Sequence, residues 1–321
     1  MSFIENEKAQ LVFDSSLIKK NLPDISSNCL FNNHVYKILV FSWLHPKNVL
    51  AIKKYKQLNI TFVTDINNYN LLDFDFVYFP TCGIDISLYP NTKFIFGPHF
   101  SVFPNEINIQ KIIGPNSVYI QPSQWTSDCW KQFPICKNLK MNILPFGVDT
   151  ETFKPDKELY QREKVFIYFK RRNDSELNYI MNFLSSLNIQ YRVFDYVKRY
   201  LENDYIDYIK NSKYGIWLDA HESQGFAFEE ALSCNVPILV WNVTSMNQEV
   251  GGNYPNVPAT SIPYWDPCCG EVFYNSNELE STFHLFLSKL HTYSPREYIM
   301  NHLSIEKCEK KFIDVLSNFT N

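Results

Sequence analysis

The sequence predicts an α/β fold made of two successive series of βα units around mostly parallel sheets. Three observations predict it. From residue 35 onward, short β-branched and aromatic runs alternate with helical patterns, which is how strands and crossover helices of parallel sheets read in a sequence. A chain of 321 residues is longer than the usual single domain, so two are expected. A polar stretch containing Pro155, DTETFKPDKELYQREK (149 to 164), separates the two series and suits a hinge. The boundary is therefore set at 1–150 and 151–321, with residues 1–33 as an extension of unassigned role.

The first series comprises YKILVF (36–41), ITFV (60–63), DFVYF (75–79), KFIFG (93–97), SVYIQ (117–121) and MNILPF (141–146). KVFIYF (164–169), QYRVF (190–194), YGIWL (214–218) and VPILVW (236–241) make up the second, with a weaker strand expected near 258–263. Between the first two of these, NDSELNYIMNFLSSL offers Asp174 or Ser175 as N-cap and places Leu177, Ile180, Met181, Leu184 and Leu187 at helical spacing, so one face packs on a sheet. Toward residue 318 the chain reads as a short helix followed by an amphipathic one that uses Ile305, Cys308, Phe312 and Val315.

Composition removes several function classes. Hydrophobic residues are 45% and charged residues 20% of the chain, with 26 Phe and 20 Tyr, which is a folding composition. Thirty Lys plus Arg are dispersed among 34 Asp plus Glu, a formal net charge of −4, so no footprint for nucleic acid is present. No stretch reaches the roughly 18 uninterrupted apolar residues of a membrane span, and MSFIENEKAQ does not read as a signal peptide. The expectation is a cytoplasmic protein, able to sit peripherally at a membrane. The eight cysteines include no CxxC pair, which points to reduced structural thiols and to no metal site.

Ligands of open α/β sheets bind beyond the carboxyl ends of the strands, and chemistry-capable groups collect there. KVFIYF is followed by Lys170, Arg171 and Arg172, YGIWL by Asp219 through Gln224, PILVW by Asn242 through Glu249, and KFIFG by Pro98 and His99. Cations just before a helix N-terminus make an anion site, although a KRR run is also compatible with a solvated basic turn, and His99 with a structural imidazole. In HESQGFAFEEALSCNVPILVW (221–241), Gly225 permits a tight turn into a short helix. Glu222 lies in that turn and Glu230 eight residues on, each able to accept two hydroxyl hydrogen bonds, as a ribose or hexose requires. Glu229, about 100° further round the helix from its neighbour, should point elsewhere.

These residues resemble the GT-B glycosyltransferases, specifically the retaining enzymes related to family 4, whose hallmark E-x7-E reads here as Glu222-SQGFAFE-Glu230. LPFGVDTETFKP (144–155), PSQWTSD (122–128) and PREYIMNHLSIEKCEKKFIDVL also match, and the likeness runs over about residues 35 to 318. The resemblance implies two Rossmann-like domains facing a central cleft, an acceptor-side half and a nucleotide-sugar half. It implies transfer of a sugar from a UDP- or GDP-type nucleotide-diphosphate sugar to a carbohydrate-containing acceptor, with retention and without a metal or other cofactor. By the same resemblance Glu230 binds the ribose hydroxyls and Glu222 the donor-sugar hydroxyls. Lys170 with Arg171 or Arg172 neutralises the diphosphate, His99 faces the transferred sugar, and Ser223, Gly225 and Phe226 border the donor. Where the family often carries a glycine-rich loop after its first strand, this chain has SWLHPKN.

Other classes fit less well. Asp73-Phe74-Asp75 supplies the letters of a GT-A D-x-D metal site but precedes a strand instead of following one. A dinucleotide oxidoreductase needs a G-x-G-x-x-G turn, which the nine glycines never form. An epimerase of this fold would also bind the donor, but the E-x7-E pattern favours transfer. The reading from another class is a catalytically degenerate GT-B protein that binds glycans or partners a second subunit. Oligomeric state is not legible.

Overall fold

The computed structural model describes residues 35–41 and 43–319, so the extension at 1–33 and Ser42 lie outside the described residues. From Val35 the chain forms one compact unit that contains two separate parallel sheets. The first holds β1 (Tyr36–Phe41), β2 (Leu58–Val63), β3 (Phe76–Phe79), β4 (Phe94–Phe96), β5 (Ser117–Gln121) and β6 (Met141–Ile143), in the order β2-β1-β3-β4-β5-β6. Helices α1 (Pro46–Ile52), α2 (Glu106–Gln110) and α3 (Gln124–Lys131) lie between these strands in sequence. The second holds β7 (Lys164–Lys170), β8 (Arg192–Asp195), β9 (Ser212–Asp219), β10 (Ile238–Trp241) and β11 (Gly270–Phe273), in the order β11-β10-β9-β7-β8. Here the helices are α4 (Asp174–Ser186), α5 (Glu202–Ile209), α6 (Phe226–Ser233), α7 (Leu279–Ser288), α8 (Pro295–His302) and α9 (Ile305–Ser317).

Both sheets are covered on both faces, and the period of two along each strand decides which side chain goes where. Ile38, Val40, Phe76, Tyr78, Val118 and Ile120 enter one core, while the intervening Leu39, Val77 and Tyr119 enter another on the opposite face. In the second sheet Phe166, Tyr168, Trp217 and Val240 face one core, and Val165, Ile167, Ile216 and Leu239 the other. The α9 helix joins both halves. Its Phe312, Val315 and Leu316 pack with the first sheet, whereas Cys308 packs with the second. Beside it, Val148 N–H donates to Leu303 O at 2.8 Å.

Two expectations need correction. Residues 258–263 form no strand: Pro258 makes only an isolated bridge to Ser245, because Asn242 Oδ1 accepts from the Ser261 N–H and Oγ, both at 2.9 Å, and holds the segment as a loop. The fifth strand is instead Gly270–Phe273, paired in parallel with β10. The α4 cap is Asn173, one residue before the expected position. Its side chain accepts from Ser175 N–H at 2.9 Å while Glu176 reaches back to its own N–H, a reciprocal capping box.

Each sheet reverses its strand order once, between β1 and β3 in the first and between β7 and β9 in the second. Those switch points are where open α/β sheets leave a crevice beyond their strand ends.

Candidate functional site

At the second switch point the last residue of β7, Lys170, stands in register with Asp219 at the end of β9. After β9 the chain turns through residues 220–225, and Glu222 N–H donates to Thr260 O at 3.0 Å. From the first half, Trp125 Nε1 donates to Glu222 O at 2.8 Å. Gly225 closes the turn with φ +88° as N-cap of α6, a left-handed conformation that side-chain-bearing residues rarely adopt. Lys170 then bonds the Glu222 carboxylate.

This cluster is poor in solvent and rich in charge. Burial alone would raise the Glu222 carboxyl, but the Lys170 ammonium and a hydrogen bond from Asp219 hold it below the usual range. Asp219 goes the other way: burial, then the Glu222 charge, push its carboxyl well up. These opposite directions favour the proton on Asp219 and the charge on Glu222, which is paired with Lys170. Although burial opposes it, the Glu222 charge keeps the Lys170 ammonium protonated. Lys170 also lies 4.5 Å from the Tyr196 ring centroid.

The three carboxylates of the 221–241 stretch have three different environments. Glu230, on α6, is buried and its Oε1 accepts from Lys47 Nζ of the first half at 2.6 Å. Burial raises its carboxyl to about 6 even though Lys47 pulls it down. Glu229 is fully buried and turned away from the cluster, as its place on the helix requires. Its Oε2 accepts from Gln224 Nε2 at 3.0 Å, its Oε1 has no hydrogen-bond partner among the described residues, and burial pushes its carboxyl well up. Gln224 also holds both backbone groups of Phe146, accepting its N–H at 3.0 Å and donating to its carbonyl at 2.6 Å. Glu229 therefore braces the segment that joins the two sheets.

The Lys-Arg-Arg run divides in the same way. Arg171, with φ 51°, pairs with Glu249 Oε1 at 2.9 Å and keeps about a third of its side chain exposed. Glu249 Oε2 lies 3.2 Å from His221 Nδ1, and burial lowers that imidazole to about 4. Arg172 is turned inward and buried. Its guanidinium donates to Asp219 O (3.1 Å), Trp241 O (2.9 Å) and both oxygens of Glu176 (2.9 and 2.5 Å). Its donors are committed to the strand ends and the α4 cap.

The first switch point faces this cluster. Pro46 opens α1 behind His45, whose Nδ1 accepts from Lys47 N–H at 3.2 Å. The His45 ring stacks on Phe226 of the second half, with centroids 5.9 Å apart and planes 4° apart. His99, after β4, lies 6.4 Å from His45 between ring centroids and 5.3 Å from Trp43, and its Nε2 is 3.2 Å from Asn48 Nδ2. Both imidazoles are half-buried but packed in protein atoms. Burial, then the Lys47 and Lys170 charges, lower His45 to about 4, and burial with His45 lowers His99 to about 3. Both are neutral at pH 7.

Among the expected residues, Lys170 and Glu222 meet, while Phe226 and His99 approach each other through His45. Gly225 shapes the turn, Glu230 meets Lys47, Ser223 is exposed, and Arg172 lies apart. Sequence reasoning did not single out Lys47, Asp219, Trp125 or Glu249, although each sits in or beside a loop that follows a strand end. Among the described residues no group of three or more His, Cys, Asp or Glu could hold a metal ion. The D-x-D letters are used locally: Asp73 accepts from Asn70 Nδ2 at 2.9 Å and Asp75 from Lys37 N–H at 2.8 Å. A cavity of about 570 Å³ lies elsewhere, at edge strand β8, between α4 and residues 195–201. No described helix is long and apolar enough to cross a membrane.

No family model and no curated protein matches the chain. Solved structures do. AviGT4, a glycosyltransferase involved in avilamycin A biosynthesis, is similar over 88% of this chain and 97% of its own, with 12% identity and a TM-score of 0.54. The N-terminal domain of Candida albicans trehalose-6-phosphate phosphatase is similar over 93% of this chain and 100% of its own, with 10% identity and a TM-score of 0.57. A chain of the GtfA/B complex matches 76% of this chain at 13% identity with a TM-score of 0.48, and this chain spans 57% of that protein's length. The first two likenesses carry the fold: two parallel α/β sheets in the GT-B arrangement.

Proposed function

We propose that the protein is a glycosyltransferase that moves a sugar from a nucleotide-diphosphate sugar, of UDP or GDP type, to a hydroxyl of a glycan, lipid-linked or protein-linked acceptor. The observation that carries this reading is the pair of carboxylates at the second switch point, the partly buried Glu222 and the buried Glu230, each bonded to a lysine. Glu230 accepts the two ribose hydroxyls and Glu222 those of the donor sugar, both as ionised acceptors in a site with little water. Lys170 and Arg171 meet the diphosphate. Ser223, Gly225 and Phe226 line the donor, and His99 faces the transferred sugar as a neutral imidazole. The Rossmann-like halves divide the work, residues 1–150 for the acceptor and 151–321 for the donor.

In the reaction the bond between the anomeric carbon and the diphosphate oxygen breaks, and the diphosphate leaves with the electron pair. The acceptor oxygen bonds the anomeric carbon on the same face, retaining configuration, and its proton passes to the departing phosphate oxygen. Lys170 and Arg171 act on the negative charge that grows on the leaving group, the position where fixed cations lower a barrier most. No step in this reading requires a metal.

Thermal shift of the protein with UDP, GDP and their sugar conjugates tests the reading, beside Glu230→Ala. Ligand at 100 times its dissociation constant adds about 2.7 kcal/mol, a shift of a few degrees in a chain of this size. Stabilisation by one base series, lost in the variant and followed by sugar transfer from that series, is the expected result. A folded protein that no nucleotide sugar stabilises would mean that the fold serves a noncatalytic role.

A further inference from the structure

We propose that Lys47 is a diphosphate ligand held in reserve, paired with Glu230 and displaced onto the phosphates by the ribose. This rests on the donor-site reading above and adds a residue from the opposite half to it.

Lys47 projects from the first switch point and bonds two carboxylates of the second half, Glu230 at 2.6 Å and Glu202 at the head of α5. Its ammonium also lies 5.5 Å from the Phe153 ring centroid. Oε1 of Glu230 is thereby taken by Lys47. A ribose diol seeks the same carboxylate, one hydroxyl to each oxygen. Ribose and Lys47 therefore compete for one group.

Displacement leaves the ammonium with Glu202 alone, whose side chain is more than a third exposed. The Lys47 side chain is about one-sixth exposed and Glu230 one-twentieth, and a desolvated cation that loses the more buried of its two counter-charges is poorly compensated. The ligand brings its own counter-charge. His45, two residues before Lys47, feels both Lys47 and Lys170 as nearby positive charges, so ammoniums from the two halves border the same space. A lysine carries its charge on a flexible four-carbon stem, long enough to exchange a carboxylate for a phosphate alongside. The ribose and the diphosphate are then read together: a ligand with only the first must break the Lys47–Glu230 pair and leave the lysine to the more exposed Glu202 alone.

Isothermal titration of the wild-type chain and Lys47→Met with a nucleoside, its monophosphate and its diphosphate, in the uridine and guanosine series, tests this. In Lys47→Met the nucleoside is expected to bind about tenfold tighter, because Glu230 is released, and the diphosphate about tenfold weaker, since one charged hydrogen bond contributes roughly that much. Lys47→Arg keeps the wild-type order. Should Lys47→Met fail to fold, Lys47→Gln, which can still bond both carboxylates, is expected to shift the two affinities in the same opposite directions by a smaller factor. Nucleoside and diphosphate affinities that fall together, or that both stay unchanged, would overturn the exchange while leaving the donor site standing. Absence of binding by the wild-type chain in either series would instead overturn the donor-site reading, and the exchange with it.

Discussion

Replacing Arg172 by alanine separates the two jobs in the Lys-Arg-Arg run. The guanidinium makes four hydrogen bonds, to the carbonyls that end β9 and β10 and to both oxygens of the α4 capping glutamate. Arg172→Ala removes all four and leaves two buried strand-end carbonyls and Glu176 without their cation. Four charge-assisted bonds at 1.5–3 kcal/mol each would sum to about 6 kcal/mol or more, but such terms are not additive. Breaking one side of a buried pair costs about 3–5 kcal/mol, which corresponds to roughly 6–20 °C in a large domain. Arg171→Ala loses one bond to the buried Glu249 from an arginine about a third exposed, roughly 1–3 kcal/mol, yet it removes a proposed diphosphate contact. Differential scanning calorimetry and diphosphate titration on both variants should therefore give opposite patterns. Arg172→Ala loses the larger share of stability and keeps nucleotide affinity at a temperature where it is folded; Arg171→Ala loses less stability and loses affinity. An Arg172→Ala protein that melts within a degree of wild type while its diphosphate affinity collapses would refute the reasoning.

Three further outcomes follow from the geometry. His45 and His99 are held below 6.5, at about 4 and about 3, so between these values the unfolded chain binds more protons; stability is full above pH 6.5 and falls as pH drops toward 4. The loss by pH 4 should be up to about 3 kcal/mol for each imidazole by denaturant titration, and smaller in His45→Gln with His99→Gln. Trp125→Phe removes the bond to Glu222 O and should lower transfer at least severalfold with little change in melting, checked by initial rates. Gly270 has φ +144°, and a Cβ there would stand 1.9 Å from Ile238 O, so Gly270→Ala should cost more than about 2 kcal/mol, read as a lower denaturant midpoint.

The sheets were legible because their strands are buried on both faces and read as apolar runs, KVFIYF and SVYIQ among them. GEVF was not, since a four-residue edge strand with a glycine and a glutamate carries little signal; the β-rich letters near Ile262 drew attention to a loop that Asn242 holds. Site legibility followed the chain order. Lys170, Glu222 and Glu230 stand out because one short stretch and one strand end supply them. Lys47 and Trp125 come from more than 95 residues away and act through contacts that no local pattern records. Arg172 shows the opposite failure: three adjacent cations look alike in a sequence, and only backbone geometry, with Arg171 at φ 51°, decides which one turns inward.

The α9 helix bears on how the chain can be made. Ile38, Val40, Phe76 and Tyr78 belong to a core whose outer wall includes Phe312, Val315 and Leu316, and Phe312 sits edge-on to both Tyr55 and Tyr78. On a ribosome the first sheet emerges long before residues 305–317, so this apolar face stays open while the whole second half is synthesised. Nascent chains with such exposed surface are prone to aggregation. The early half therefore needs the late helix to finish its core, and a chain stopped before residue 305 should be a client of chaperones and not an independent domain.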